Sequence, residues 1–292
     1  MKKKDRASIQ KFNISDVVIY AVLGAFALVT LYLFIYTLAG SLNDAQDLAY
    51  GPIWLFPRKL TFASYIVTLE DTRLYRAFLN TFAAMAVCVV IGLLFTSCVA
   101  YAMSRKRLKG RKFFWSVNLI TMFISGGMIP YYMVIMFVGL YNNYLVYIIP
   151  CIYSVFDMIV LANFFKSIDE SLYESAVMDG ANEFRIWLSI YIPVSKPALA
   201  TIGLWIIVAR WNSFMPTMLY TDKRESIWLM QYYLMRLIRD GDTPMKGDYY
   251  RLVNATTLSF AAIVVSSIPI LCVYPFMNRF FSKGIMLGSL KG

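Results

Sequence analysis

The residues able to do acid, base or metal chemistry are few in this chain, and their placement is informative. None of the 292 residues is a histidine, which excludes imidazole catalysis and His-ligated metal sites. The four cysteines, Cys88, Cys98, Cys151 and Cys272, fall inside apolar runs with no CxxC pair. They read as small buried hydrophobes, not as a disulfide framework or metal site. Two charges, Asp157 and Arg210, stand alone inside apolar blocks, where an ionised group is costly unless paired or wet. With a helical rise of about 1.5 Å per residue, Arg210 falls roughly 20 Å from the near end of its block and Asp157 about 12 Å. A mutual salt bridge is therefore not expected. Arg210 is expected to reach an interface or an acidic group on a partner, and Asp157 to find Ser, Tyr or backbone donors. Five of the 17 acids, Asp169, Glu170, Glu174, Asp179 and Glu183, cluster between Lys166 and Pro197, with no nucleophile and base pattern beside them.

The elements that position these residues follow from composition. Hydrophobic residues make up 59% of the chain and charged residues 15%, against about 45 to 50% and about 25% in soluble domains. The apolar residues form long blocks, and a helix needs roughly 20 of them to cross a bilayer. Six blocks qualify, at about Val17 to Gly40, Ala77 to Met103, Phe113 to Leu140, Tyr144 to Phe165, Pro197 to Tyr220 and Ala255 to Phe281. The fold class is thus an all-α polytopic membrane protein with six transmembrane helices. The first block is too long for a signal peptide and reads as an uncleaved span. The net charge of +11 is explained by topology, without nucleic acid: Lys2 to Lys4 and the run SRKRLKGRK at 104 to 112 mark short cytoplasmic segments. Both termini and the 166 to 196 loop are then cytoplasmic, and 41 to 76 and 221 to 254 lie outside. Gly126, Gly127, Pro130, Pro150, Pro216, Pro269 and Pro275 interrupt the spans, which favours a bundle that bends or lines a pathway.

The loop KSIDESLYESAVMDGANEFRIWLSIYIPVSKP carries the sharpest pattern. Ser167 and Glu170 have capping-box spacing, predicting a helix from near Ile168. Leu172, Ala176 and Val177 share its apolar face, Gly180 turns the chain, and a second short helix carries Phe184, Trp187, Leu188 and Tyr191 as an apolar ridge. Such a ridge needs either a partner groove or the lipid interface.

Residues 174 to 193 resemble the EAA loop of type I ABC importer permeases. That family reads E-A-A, three residues, G, nine residues, I, one residue, L-P; here stand Glu174-Ser175-Ala176, Gly180, Ile190 and Ile192-Pro193. Ser replaces the second Ala and Ile replaces Leu. MDGAN at 178 to 182, WNSFMP at 211 to 216 and SKGIMLGSLKG at 282 to 292 are similar to the carbohydrate-uptake branch, in particular to the smaller permease of the maltose transporter. The likeness runs from about Arg76 to the end.

The resemblance implies one permease domain over 1 to 292, with a core module at 76 to 281, a cytoplasmic coupling loop at 166 to 196 and a tail at 282 to 292. It implies as partners a second homologous permease, a cytoplasmic ABC ATPase dimer, an extracytoplasmic solute-binding protein and the lipid bilayer, with no nucleic acid. The chain holds no cofactor of its own; ATP and Mg act on the ATPase, since no GxxxxGK[ST] run occurs here. Glu174 and Asp179 are expected to orient the loop, Gly180 to permit its turn, and Phe184 and Trp187 to supply the knob that enters the ATPase. Gly284, Gly288 and Lys291 are expected to contact the ATPase through the tail. Trp211 and Asn212, beside Arg210, are suited to stack on a sugar and bond its hydroxyls, or Trp211 is an interfacial belt residue. A membrane enzyme lacks its catalytic residues here, and a channel or ion-coupled transporter would need repeated spans or several midplane charges. A permease for a non-sugar solute remains the other reading.

Overall fold

The computed structural model describes residues 14–240 and 252–288, and every regular element in them is helical. The N-terminal lysines and Lys291 lie outside the described residues. Fourteen α-helices follow in order: α1 Ile14–Ser41, α2 Ala45–Ala49, α3 Ala63–Glu70, α4 Thr72–Ser104, α5 Arg111–Phe123, α6 Met128–Phe137, α7 Val155–Lys166, α8 Glu170–Met178, α9 Glu183–Ile186, α10 Ile192–Val194, α11 Lys196–Trp211, α12 Met215–Tyr220, α13 Met230–Asp240 and α14 Ala255–Gly288. Among the described residues they form two compact units, one within 14–68 and 252–264 and the other within 69–240 and 265–288.

Four segments are long and apolar enough to cross a membrane, and two bent helix pairs raise the number to six if each is one span. The expected continuous span at Phe113 to Leu140 is instead α5 and α6, bent by 113°. Gly127 sits at the break with φ +87, a conformation that carries little penalty only without a Cβ. The expected span at Pro197 to Tyr220 is also divided. Helix α11 stops at Trp211, Asn212 caps it, and α12 resumes at Met215. The chain before α11 bends by 83° into it. The first part of the fourth block, around Pro150, is wound as 3-10 turns before α7 begins. In contrast, α14 runs unbroken past Pro269 and Pro275.

In the first unit, α1 exposes apolar residues nearly all round, as a helix in lipid must. Its end packs so closely on the start of α14 that a Cβ at Gly40 would stand 2.4 Å from the Phe260 ring. The following loop is closed by Asn43, whose Oδ1 accepts from Arg58 N at 2.8 Å and Lys59 N at 3.0 Å. Asp47 accepts from Asn43 and from Arg58, and these bonds hold its carboxyl below the usual range.

In the second unit, α4 is the column against which α7 and α11 pack. Met158, Leu161 and Ala162 from α7 and Ile202 from α11 are fully buried there. Small residues set the spacing: a Cβ on Gly92 would meet the Cys151 carbonyl at 3.3 Å and Ile206 at 3.4 Å, and one on Gly203 would meet Leu93 at 3.3 Å. Cys88 and Cys151 are joined as a disulfide with Cα atoms 6.1 Å apart, which corrects the expectation of four separate buried thiols. The 3-10 turns before α7 bring Cys151 back onto α4, a proximity that 63 residues of separation conceal. Cys98 and Cys272 are exposed rather than buried.

Candidate functional site

The segment between α7 and α11 folds as two short helices, each with a side-chain cap. Asp169, not Ser167, is the N-cap of α8, accepting from Ser171 N at 2.9 Å. Ser167 instead donates to the Phe164 carbonyl at 2.7 Å and finishes α7. At the other end, Ala181 N donates to Ala176 O at 2.9 Å and Gly180 N to Val177 O at 3.0 Å. These are the paired bonds of a Schellman ending, and they require the left-handed φ of +77 found at Gly180. Asn182 caps α9 by accepting from Arg185 N at 2.8 Å. A π-turn over Trp187–Tyr191 then leads to Pro193 in α10 and to the bend into α11.

This turn divides the expected aromatic ridge. Trp187 and Tyr191 are buried against the chain's own core, while Phe184 and Leu188 remain exposed. Phe184 is 64% exposed and leans on Trp187 with ring centres 5.2 Å apart. Trp187 therefore backs Phe184 from inside, and of the two residues expected to project only Phe184 is exposed. On α8 the inward face is Tyr173 and Ala176, with Leu172 and Val177 outward, because Tyr173 turns toward α9. Glu174, Ser175 and Asp179 are exposed, and Ile190 is half-buried.

The helix pair is fastened to the end of α4 by residues that the sequence reading did not single out. Glu183 Oε2 accepts from the Tyr101 hydroxyl at 2.5 Å, and its Oε1 accepts from the Tyr173 hydroxyl at 2.7 Å. Burial pushes the Glu183 carboxyl up, but these two bonds and the charges of Arg105 and Arg107 outweigh it and leave the carboxyl below its ordinary value. The Arg105 guanidinium carbon lies 3.6 Å from the Tyr173 ring centre and 5.6 Å from those of Tyr101 and Tyr191. Its Nη1 donates to the Tyr191 hydroxyl at 2.5 Å. One cation and one carboxylate thus join α4, α8, α9 and the π-turn through three tyrosines. A cavity of about 380 Å³ lies alongside, lined in part by Arg105, Arg107, Glu183, Phe184 and Trp187. In sequence, Arg105 counted only as one of several loop cations; the signal available was Tyr101 four residues before it and Tyr173 and Tyr191 on the loop.

The intramembrane candidates are spread apart. Asp157 lies in the first turn of α7, 8% exposed, with the Ser154 hydroxyl beside its carboxylate. Arg210 is half-buried near the end of α11, within electrostatic reach of Tyr131 on α6. Trp211 is 4% exposed, its ring edge-on to Phe78 at 5.9 Å, so packing and not an open face occupies it. Asn212 is exposed and donates to the Val208 carbonyl at 2.9 Å. Beyond it, Tyr132 stacks on Tyr220 at 5.7 Å. Among the described residues no group of acids and cysteines is placed to hold a metal ion. Gly284 and Gly288 fall within the last turns of α14.

No protein-family model matches the chain. The chain is 34% identical over 287 residues to the polygalacturonan/rhamnogalacturonan transport system permease protein YtcP of Bacillus subtilis, covering 97% of this chain and 100% of that one. It is 32% identical over 285 residues to the protein LplC of the same organism, covering 96% of each. Among solved structures, a chain of a bacterial ABC transporter involved in the import of the acidic polysaccharide alginate superposes with TM-score 0.84 at 33% identity, over 92% of this chain and 99% of that one. Helical order, the bent spans and the capped helix pair thus coincide with sequence likeness from end to end, and the chain belongs to the family of ABC transporter permease proteins.

Proposed function

We propose that the chain is the membrane-spanning permease subunit of an ATP-driven, binding-protein-dependent importer of oligosaccharides. It lies in the bacterial cytoplasmic membrane with both termini inside. It is not itself catalytic; ATP and Mg act on a cytoplasmic ATPase dimer, and a second homologous permease and an extracytoplasmic solute-binding protein complete the assembly. The observation that carries this reading is the α8–α9 pair, rigidly fastened to α4 at Glu183 and Arg105 with Phe184 projecting from it. Such an element converts a push on Phe184 into motion of α4, because these half-buried bonds leave it little freedom to yield alone. Glu174, Ser175 and Asp179 form its polar flank, Gly180 sets the angle between the helices, and Ile190 and Pro193 carry the motion into α11. The tail, with Gly284, Gly288 and Lys291, is assigned to contact with the ATPase.

The cargo is read as an acidic oligosaccharide. YtcP by name serves polygalacturonan and rhamnogalacturonan, and the structural relative serves alginate. Arg210, a cation at membrane depth with no carboxylate partner among the described residues, supplies the counter-charge that a passing sugar acid needs. Asn212 and the tyrosines of α6 and α12 offer hydroxyl and ring contacts. In proteoliposomes holding the whole importer, Phe184→Ala is expected to lower ligand-stimulated ATP turnover and uptake together while the subunits still co-purify. Normal uptake by that variant would refute the coupling role. For the cargo, Arg210→Gln should reduce uptake of galacturonate oligomers by tenfold or more, about 1.4 kcal/mol or greater, and Arg210→Lys should recover part of it. An equal loss for a neutral oligosaccharide would show that Arg210 has only a structural role.

A further inference from the structure

Outside the coupling element, Arg111, Lys112 and Lys166 line one cleft of about 610 Å³ between the start of α5 and the end of α7. Three cations sharing so small a space repel one another, and none of the three has a carboxylate partner among the described residues. Lys166 is held over the cleft: its ammonium donates to Asn163 Oδ1 at 3.1 Å and lies 4.7 Å from the Trp115 ring centre. Trp115 is itself anchored by donating to the Met103 carbonyl at 3.4 Å. The third kind of wall is apolar, formed by Ile159 and the Trp115 ring, on helices whose length and composition make them candidate membrane spans.

Positive charge at one end, a fixed indole at the boundary and an apolar wall beneath describe an anionic amphiphile more closely than a free ion or a protein surface. We propose that this cleft binds an anionic glycerophospholipid, its phosphodiester bridged by Arg111, Lys112 and Lys166 and its acyl chain laid along Ile159 and Trp115. A bound phosphodiester relieves the repulsion among the three cations, and so holds the start of α5 to the end of α7. The assignment of this side to the cytoplasm decides only which leaflet supplies the lipid.

The test is native mass spectrometry of the purified whole importer, titrated with dioleoyl phosphatidylglycerol or dioleoyl phosphatidylcholine. The wild type is expected to retain phosphatidylglycerol preferentially. The triple variant Arg111→Gln, Lys112→Gln, Lys166→Gln should retain it roughly tenfold less, with the subunit composition unchanged. If that variant fails to assemble, Lys112→Gln alone alters an exposed side chain and should shift retention in the same direction. Equal retention of both lipids by the wild type would overturn the proposal, as would undiminished phosphatidylglycerol on the variants. So would displacement of the lipid by excess inorganic phosphate, which marks a free-anion site. Loss of ATPase subunits from the variants with lipid retained would make the cleft a protein-docking surface and overturn it equally.

Discussion

Gly180 and Glu183 stand three residues apart and do different work. Gly180 has open space around it, with nothing within 4 Å of a built Cβ, so its requirement is the backbone angle alone. Asn visits that left-handed region with small penalty, whereas a β-branched residue pays about 1 to 2 kcal/mol or more. Gly180→Asn is therefore expected to keep coupled ATP turnover near that of the wild type, and Gly180→Val to uncouple it, in the same proteoliposome assay. Glu183 has a carboxyl depressed in the fold, so its contribution is fully present above the ordinary carboxylate range of about 4 and is lost as pH falls through the depressed value. Protection factors of the amides of residues 170 to 191, corrected for intrinsic exchange, should thus be flat from neutral pH downward and fall only below that range. In Glu183→Gln the protection should be low at neutral pH too. Of these two residues, Gly180 was legible in sequence because a glycine after a helix has a local meaning. Glu183 was not, because its partners Tyr101 and Tyr173 are brought to it by the packing of α4 and α8, and no spacing rule links them.

At the scale of elements, the blocks of apolar residues predicted where helices lie better than whether each is continuous. Prolines marked the breaks only in part: Pro150 lies in the 3-10 turns, and Pro130 and Pro216 stand in the first turn after the breaks at Gly126-Gly127 and at Asn212 to Phe214, yet α14 passes through two of them. A helix continues past a proline when neighbouring groups can take up the freed carbonyl, and this depends on tertiary surroundings absent from a local reading. The ridge at 184 to 191 failed for a related reason, since a π-turn advances the side chains by a different angle from the helical one assumed. Contacts between α4, α7 and α11 depend on small residues, and this gives a direct test. Gly92→Ala adds a methyl group against the Cys151 carbonyl and Ile206 at 3.3 and 3.4 Å, and should cost about 1 to 3 kcal/mol. Gly24→Ala, with nothing within 4 Å, should be neutral. Thermal unfolding of the two variants in detergent, read by the yield of intact importer after heating, separates them.

At the scale of the whole molecule, α4 links two attachments that lie at its opposite ends. Its 33 residues make a rod of about 50 Å, long enough to span the bilayer with turns to spare on each side. At one end Tyr101 and Arg105 hold the α8–α9 pair. At the other, Asp71 accepts from the Tyr233 hydroxyl at 2.5 Å, Asn80 Nδ2 donates to the Ser226 carbonyl at 2.9 Å and the Trp228 carbonyl at 3.1 Å, and Thr81 Oγ1 accepts from Met230 N at 2.8 Å. These bonds tie α13 and the turn before it to the same rod. A loop meeting the binding protein on one side and a loop meeting the ATPase on the other would then communicate through one rigid element. Removing the Asn80 and Thr81 bonds with Asn80→Ala and Thr81→Val leaves the Met230 N–H unsatisfied, a loss of about 1 to 3 kcal/mol, while the Asp71–Tyr233 bond and the inner attachment are untouched. The expected result is that stimulation of ATP turnover by loaded binding protein falls severalfold and unstimulated turnover stays the same. A parallel fall in both would mean that the outer bonds only stabilise the fold, and that the signal crosses the membrane by a route other than α4.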